Sequence, residues 1–194
     1  LARMLPPRSP LTVAFSVWKA LFLREALTRL LSARAAWFWL LAEPLFHLAF
    51  LAFLFSVVNV HTVGGIATSV WLLLSLIGFF SFRRTATQTM YAIASNRALF
   101  AYRQVKPVDT AIARAALEGA LMACVAAVVW VGAALVGIEV MPADPLGVLL
   151  IFFGMWLAGF GFGLVALVAL ELIPEVGQLI GLAMLPLYLL SGVL

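Results

Sequence analysis

From about Leu146 to Leu170 the chain carries no charged residue at all, and this run constrains the fold more than any other feature. An α-helix rises about 1.5 Å per residue, so roughly 20 consecutive apolar residues cross the hydrocarbon core of a bilayer. In water the same run would have to be covered on every side, and the chain has little to cover it with. Of its 194 residues, 65% are hydrophobic and 10% charged, with a mean hydropathy of +1.16. Soluble domains carry charge at about a quarter of their positions. Four further apolar stretches run from about Ala35 to Val58, Ile66 to Phe82, Ala111 to Ile138, and Val176 to Leu194. None alternates with the period of two that a spanning strand needs. The expected fold is all-α, a polytopic membrane protein with five visible transmembrane helices in one domain over residues 1–194.

Charge placement orients these spans. Arg3, Arg8, Lys19, Arg24, Arg29 and Arg34 precede the first span. Arg83, Arg84, Arg97, Arg103, Lys106 and Arg114 lie in or beside the segment between the second and third spans. Together they account for all 12 Lys and Arg residues. The loops Asn59 to Gly65 and Glu139 to Pro145 hold only His61, Glu139 and Asp144 as ionisable groups. Basic residues concentrate on the cytoplasmic side of membrane proteins, which places the N-terminus and residues 83–114 inside. The turn with Glu171, Pro174 and Glu175 falls inside by counting alone. An odd number of spans would leave Leu194 on the outer side, so the chain is read as a fragment of a longer protein.

Several chemistries lack their residues. The single cysteine, Cys124, has no partner for a disulfide, a metal or redox work and reads as a packing residue. With only His47 and His61, no catalytic constellation and no metal spacing can be drawn. Gly159-Phe160-Gly161-Phe162-Gly163 has glycines but no following Lys-Ser/Thr and lies mid-membrane, so it is no phosphate loop. Gly159 and Gly163 instead form a small-xxx-small pair suited to close helix packing. Nothing points to nucleic acid.

Two elements outside the spans carry the functional interest. Val17 to Ala33 reads as an amphipathic helix, with Leu23, Ala26, Leu27, Leu30 and Leu31 on one face. Arg24, Glu25, Thr28, Arg29 and Ser32 occupy the other. Such a helix over residues 17–34 suits the anionic inner headgroup layer, either as a simple anchor or as a gate admitting a lipid-linked substrate. The second element, residues 83–109, is polar enough to leave the bilayer yet keeps Leu99, Phe100, Tyr102 and Val105 at spacings that share a helical face. Pro107 is expected to open the next element. That apolar face packs on the protein's own helices or docks a soluble partner.

Within the first span, Glu43 and His47 stand four residues apart behind Pro44. The expected placement of Glu43 is the inner interface, near Arg34, with His47 hydrogen-bonded to a neighbouring helix; a cavity-facing Glu43 is the alternative. Trp37 and Trp39 fit an interfacial aromatic belt, and their rings are also candidates for a sugar-conducting canal.

The run Asn96-Arg97-Ala98-Leu99-Phe100-Ala101-Tyr102-Arg103-Gln104-Val105-Lys106-Pro107-Val108-Asp109, followed by Ala113-Arg114, resembles the cytoplasmic loop of capsular polysaccharide export permeases. These are membrane subunits of bacterial type-two ABC exporters, related to O-antigen and teichoic acid exporters. Leu23-Arg24-Glu25-Ala26-Leu27-Thr28-Arg29, Trp39-Leu40-Leu41-Ala42-Glu43-Pro44 and Pro186-Leu187-Tyr188-Leu189-Leu190-Ser191-Gly192-Val193 resemble the family's amphipathic helix, first-span start and fifth span. The likeness covers nearly the whole chain, in order.

The resemblance implies a multi-pass inner-membrane permease that is not itself an enzyme and works as a homodimer. ATP and Mg would be bound by a separate cytosolic ATPase dimer, with no cofactor on this chain. Asn96, Arg97, Leu99, Phe100, Tyr102, Arg103, Val105 and Lys106 would couple to that ATPase. Arg24, Arg29, Arg34, Trp37, Trp39 and Glu43 are candidates for the path of a lipid-linked acidic polysaccharide. A periplasmic co-polymerase or adaptor and an outer-membrane exporter are further implied partners, and a sixth span is expected beyond Leu194. Alternatives are an O-antigen, teichoic acid or small-amphiphile exporter, and, in another class, a membrane scaffold or lipid-modifying enzyme.

Overall fold

The computed structural model describes residues 10–31, 36–57, 62–63, 66–135, 137, 142, 144–188 and 190–191. Each apolar run becomes a helix, because a backbone surrounded by hydrocarbon must satisfy its own N–H and C=O groups. The order is α1 (Pro10–Leu31), α2 (Ala36–Val57), α3 (Thr68–Met90), α4 (Pro107–Leu135), α5 (Pro145–Leu172) and α6 (Val176–Tyr188). A minimal hairpin precedes α3, pairing Thr62 with Ala67 and Val63 with Ile66. A 3-10 helix, Ala94–Ala101, separates α3 from α4. The protein is an all-α polytopic membrane protein. By length and composition, α4 and α5 are the helices long and apolar enough to cross a membrane among the described residues.

Local chemistry sets the ends. Pro107 opens α4, where its missing N–H costs nothing. Asp109 caps that end, its carboxylate accepting from Lys106 N at 2.9 Å. Gly137 follows α4 at a φ of +83°, a left-handed conformation that a Cβ would strain. Asp144 caps α5 by accepting from Gly147 N at 2.9 Å, with Pro145 at the first helical position.

The third helix is the common partner, packing on α5, α4 and α2, while α1 packs mainly on α4. One core joins Leu72, Leu76, Ile77, Phe79 and Phe80 of α3 to Met122, Val125 and Val129 of α4 and Leu51 of α2. Against α5 the contact is closer than side chains allow. A Cβ at Gly159 would lie 2.5 Å from the Phe82 carbonyl oxygen, and one at Gly163 would lie 2.6 Å from Thr89 Cβ. The rest of α5 turns outward: Leu146, Leu149, Ile151, Phe153, Val165 and Leu172 are all exposed. A helix this bare of covering side chains is stable only in lipid or against another apolar surface.

Three features depart from the sequence expectations. The second span does not end near Phe82; α3 continues to Met90 and carries Arg83 and Arg84 inside the helix, and Arg84 finds carboxylates of α2 and α4 within the bundle. Residues 99–105 do not form one helical face. The 3-10 helix is kinked at Asn96 (φ −124°, ψ 15°) and stops at Ala101, and Tyr102 is extended. The amphipathic helix is longer than expected and is turned differently. Glu25 of its polar face is buried, whereas Leu23, Leu27 and Leu30 are exposed.

The α3–α5 contact predicts that Gly163→Val lowers thermal stability of the detergent-solubilised protein by about 1–3 kcal/mol through overpacking. Gly161→Ala, which meets nothing within 4 Å, is expected to leave the melting temperature unchanged or slightly raised.

Candidate functional site: a buried charge cluster beneath the segment joining α3 and α4

Charged side chains from four helices meet where α1 crosses α4. Glu118, on α4, is wholly buried. Its Oε1 accepts a hydrogen bond from Arg29 NH1 of α1. Its Oε2 makes no hydrogen bond but lies 3.7 Å from Arg84 Nε of α3. Glu25, one turn before Arg29, bridges two cations: Arg29 Nε at 3.1 Å and Arg114 NH2 at 2.9 Å. Arg29 NH2 also donates to Gln88 Oε1 at 2.7 Å, and Arg84 NH1 reaches Glu43 of α2 at 3.4 Å. Glu25 and Arg29 on α1, like Arg114 and Glu118 on α4, stand four residues apart on their own helices. Each helix therefore presents both signs on one face.

Removing such ions from water is costly, and neutralisation in close pairs offsets it. Arg29 registers both effects: burial pushes its guanidinium below the ordinary value, and Glu25 acts to raise it. The cluster also reaches the start of the segment that joins α3 to α4. Arg114 NH1 approaches the carbonyl oxygens of Gln88 and Tyr91 at 3.4 Å each, where α3 ends. A second tie lies at the other end of that segment. Trp18 Nε1 of α1 donates to Asp109 Oδ1 at 2.7 Å, on the same carboxylate that caps α4.

The segment between these ties carries the eight residues expected to couple to a partner. Asn96 is buried and donates to the Ala92 carbonyl at 2.9 Å. Arg97 pairs with Glu171, at the end of α5, at 3.3 Å. Leu99, Phe100 and Val105 are half-buried, whereas Tyr102, Arg103 and Lys106 are exposed. Leu99, Tyr102 and Val105 face α1 across a cleft of about 480 Å³, whose other wall includes Val13, Val17, Leu21 and Arg24. The apolar side chains thus pack partly on the protein, and the tip of the segment stays free.

The candidates for a substrate path are dispersed. Arg24 lines the cleft, and Arg29 belongs to the charge cluster. Trp39 is exposed, edge-on to Phe38. Glu43 pairs with Arg84; Arg34, its expected neighbour, lies outside the described residues, as does the Trp37 side chain. His47 sits edge-on to Phe80 and Tyr188 at ring separations of 5.5 and 5.7 Å. Gly159 and Gly163 lie against α3.

Residues 16–194 match the family described as ABC-2 type transporter. The chain belongs to this family. It is similar to the polysialic acid transport protein KpsM of Escherichia coli, with 33% identity over 176 residues, covering 91% of this chain and 68% of that protein. It is also similar to the capsule polysaccharide export inner-membrane protein CtrC of Neisseria meningitidis, 28% identical over 177 residues, 90% of this chain and 66% of that one. The corresponding protein BexB of Haemophilus influenzae is 23% identical over 193 residues, 95% of this chain and 70% of its own. As an ABC-2 type transporter, the chain is a membrane permease subunit, in keeping with its helices and its resemblance to capsule export permeases.

Sequence reasoning missed Glu118, Gln88, Trp18 and Asp109. The available signal was a Glu four residues after Arg114 inside an apolar stretch, since a charge there requires a partner.

Truncating a buried ion-pair partner leaves the other charge uncompensated. Glu118→Ala should therefore lower stability by about 3–5 kcal/mol. Adding Arg29→Met to Glu118→Leu should cost less than the two single changes summed, by about 1 kcal/mol or more. Thermal unfolding of the unsubstituted protein and the four variants in detergent checks both expectations.

Proposed function

We propose that this chain is the membrane-spanning subunit of an ATP-driven exporter that moves lipid-linked, acidic capsular polysaccharide across the bacterial inner membrane. The observation that carries the mechanism is the segment at residues 91–106. It leaves the helix bundle, exposes Tyr102, and is tied at both ends into helices that share the buried charge cluster. Such a segment can receive a push from a soluble partner and pass it to α1, α3 and α4 without bending in between.

In this reading the partner is a cytosolic ATPase dimer holding ATP and Mg, and Asn96 to Lys106 form the docking element. A second copy of the permease completes the path across the bilayer. The placement of all basic residues in two blocks supports a cytoplasmic N-terminus, and a single domain with an interfacial α1 belongs to the same reading. The polysaccharide class is supported by the similarity to the capsule and polysialic acid transport proteins. A periplasmic adaptor and an outer-membrane exporter would extend the path outward.

Photo-crosslinking from position 102 in native membranes tests the docking. The expected product is a cytosolic ATPase whose crosslink yield changes on adding nucleotide; products confined to the chain's own helices would contradict it. Leu99→Asp or Val105→Asp should abolish surface capsule while leaving membrane insertion intact. Unchanged capsule with either substitution would remove residues 96–106 from the coupling role.

A further inference from the structure

An arginine side chain donates from every nitrogen and accepts nowhere, so burying one demands acceptors on several sides. Arg114 of α4 is buried, and its terminal nitrogens are supplied. NH2 meets Glu25 Oε1 at 2.9 Å, and NH1 meets the Gln88 and Tyr91 carbonyls at 3.4 Å each. Its Nε is equally buried but has no hydrogen-bond partner among the described residues. An N–H left unpaired in the interior is costly and uncommon.

Arg114 also lines a cavity of about 10 Å³, together with Leu21 and Glu25 of α1, Asn96 of the 3-10 helix, and Thr110 and Ala113 of α4. Two of these residues bring acceptors that nothing uses. The ion pairs of Glu25 run through Oε1, which leaves Oε2 without a partner among the described residues. Asn96 donates its Nδ2 to the Ala92 carbonyl at 2.9 Å, and its Oδ1 is left in the same way. Thr110 already donates its hydroxyl to Pro107 O at 2.7 Å, and Leu21 and Ala113 have no polar side-chain atom. An unused donor and two unused acceptors therefore surround one small space.

We propose that this cavity is a binding site for a single water molecule that joins α1, α4 and the segment between α3 and α4. Its size admits one water, which needs about 10–15 Å³. Charge argues against an ion, because a cation would be set beside Arg114 and an anion beside Glu25. Water alone both accepts and donates at this size. It accepts from Arg114 Nε and donates to Glu25 Oε2 and Asn96 Oδ1, making the roughly three hydrogen bonds usual for a buried water. The site accounts for a buried polar residue at the kink of the 3-10 helix, where Asn96 leaves helical geometry (φ −124°, ψ 15°). The bridge attaches the segment between its ties at Tyr91 and Asp109, and a bridging water holds nearly as well as a direct bond.

The direct test is an electron cryomicroscopy map of the assembled transporter, sharp enough to show ordered waters at other buried polar groups. A peak is expected within hydrogen-bond reach of Arg114 Nε and of Glu25 or Asn96. Waters visible elsewhere with none here, or Arg114 Nε bonded directly to a protein oxygen, overturns the proposal. Two substitutions of similar size test it in solution. Ala113→Ser sets a hydroxyl at the cavity that can take over the water's bonds, whereas Ala113→Cys fills similar space with a weakly bonding thiol. Under reducing conditions the full-length subunit with Ala113→Ser should melt about 2–4 °C above that with Ala113→Cys, the shift expected from one hydrogen bond. In a dry void the buried hydroxyl would be the liability, so an equal or reversed order overturns the proposal as well. Neither readout depends on export, so the site stands or falls apart from the transport mechanism.

Discussion

The Glu118 carboxylate is the constraint around which the charged half of the structure is arranged. It is wholly buried on a mostly apolar helix, and its charge is offset only where guanidiniums reach it. Arg29 comes from α1 and Arg84 from α3, so those two helices are held at fixed rotations about α4. Arg114 and Glu25 complete the arrangement from the same faces. For α1 the consequence is a reversal of its simplest role. A surface anchor would turn its charges to the headgroups, but here Glu25 and Arg29 turn to the protein, and leucines face outward.

The apolar half obeys a different rule. Away from the charges, α3 fills the space between α2, α4 and α5 with Leu, Ile and Phe side chains, and Gly159 and Gly163 let α5 approach its backbone. Lipid offers no hydrophobic drive for helices to associate, so close packing must supply the attraction. That accounts for a contact between α3 and α5 built from glycine on one side and backbone on the other. It also leaves the outer surface of α5 free for lipid or for a second subunit.

The apolar architecture was legible in the sequence because it depends on composition along the chain. The runs beginning near Ala35, Ile66, Ala111, Leu146 and Val176 each became a helix, and Pro107 opened α4 as its fixed φ required. The resemblance in residues 96–109 pointed to the family that the whole chain joins. What was not legible depends on which helix faces which. Glu25 and Arg29 look like solvated charges until α4 is laid beside them, and Arg83 and Arg84 look like a helix end until their neighbours are placed. Tyr102 seemed to share a face with Leu99 because helical periodicity was assumed through Ala101, where the 3-10 helix stops.

In the proposed exporter, Tyr102 and the membrane helices move together because the charge cluster leaves no soft joint between them. The most direct measurement is the distance between spin labels at Tyr102 and Leu157, by pulsed electron resonance. It would be made on the assembled transporter with and without nucleotide, with Cys124 replaced by Ala and with Glu118 either kept or changed to Gln. The account predicts that nucleotide leaves this distance nearly constant when Glu118 is present, the two sites shifting as one body relative to a label on the ATPase. With Glu118→Gln the distance should broaden or change, because the segment moves and α5 no longer follows. A distance that responds to nucleotide identically in both proteins would contradict the claim that the buried charges carry the coupling.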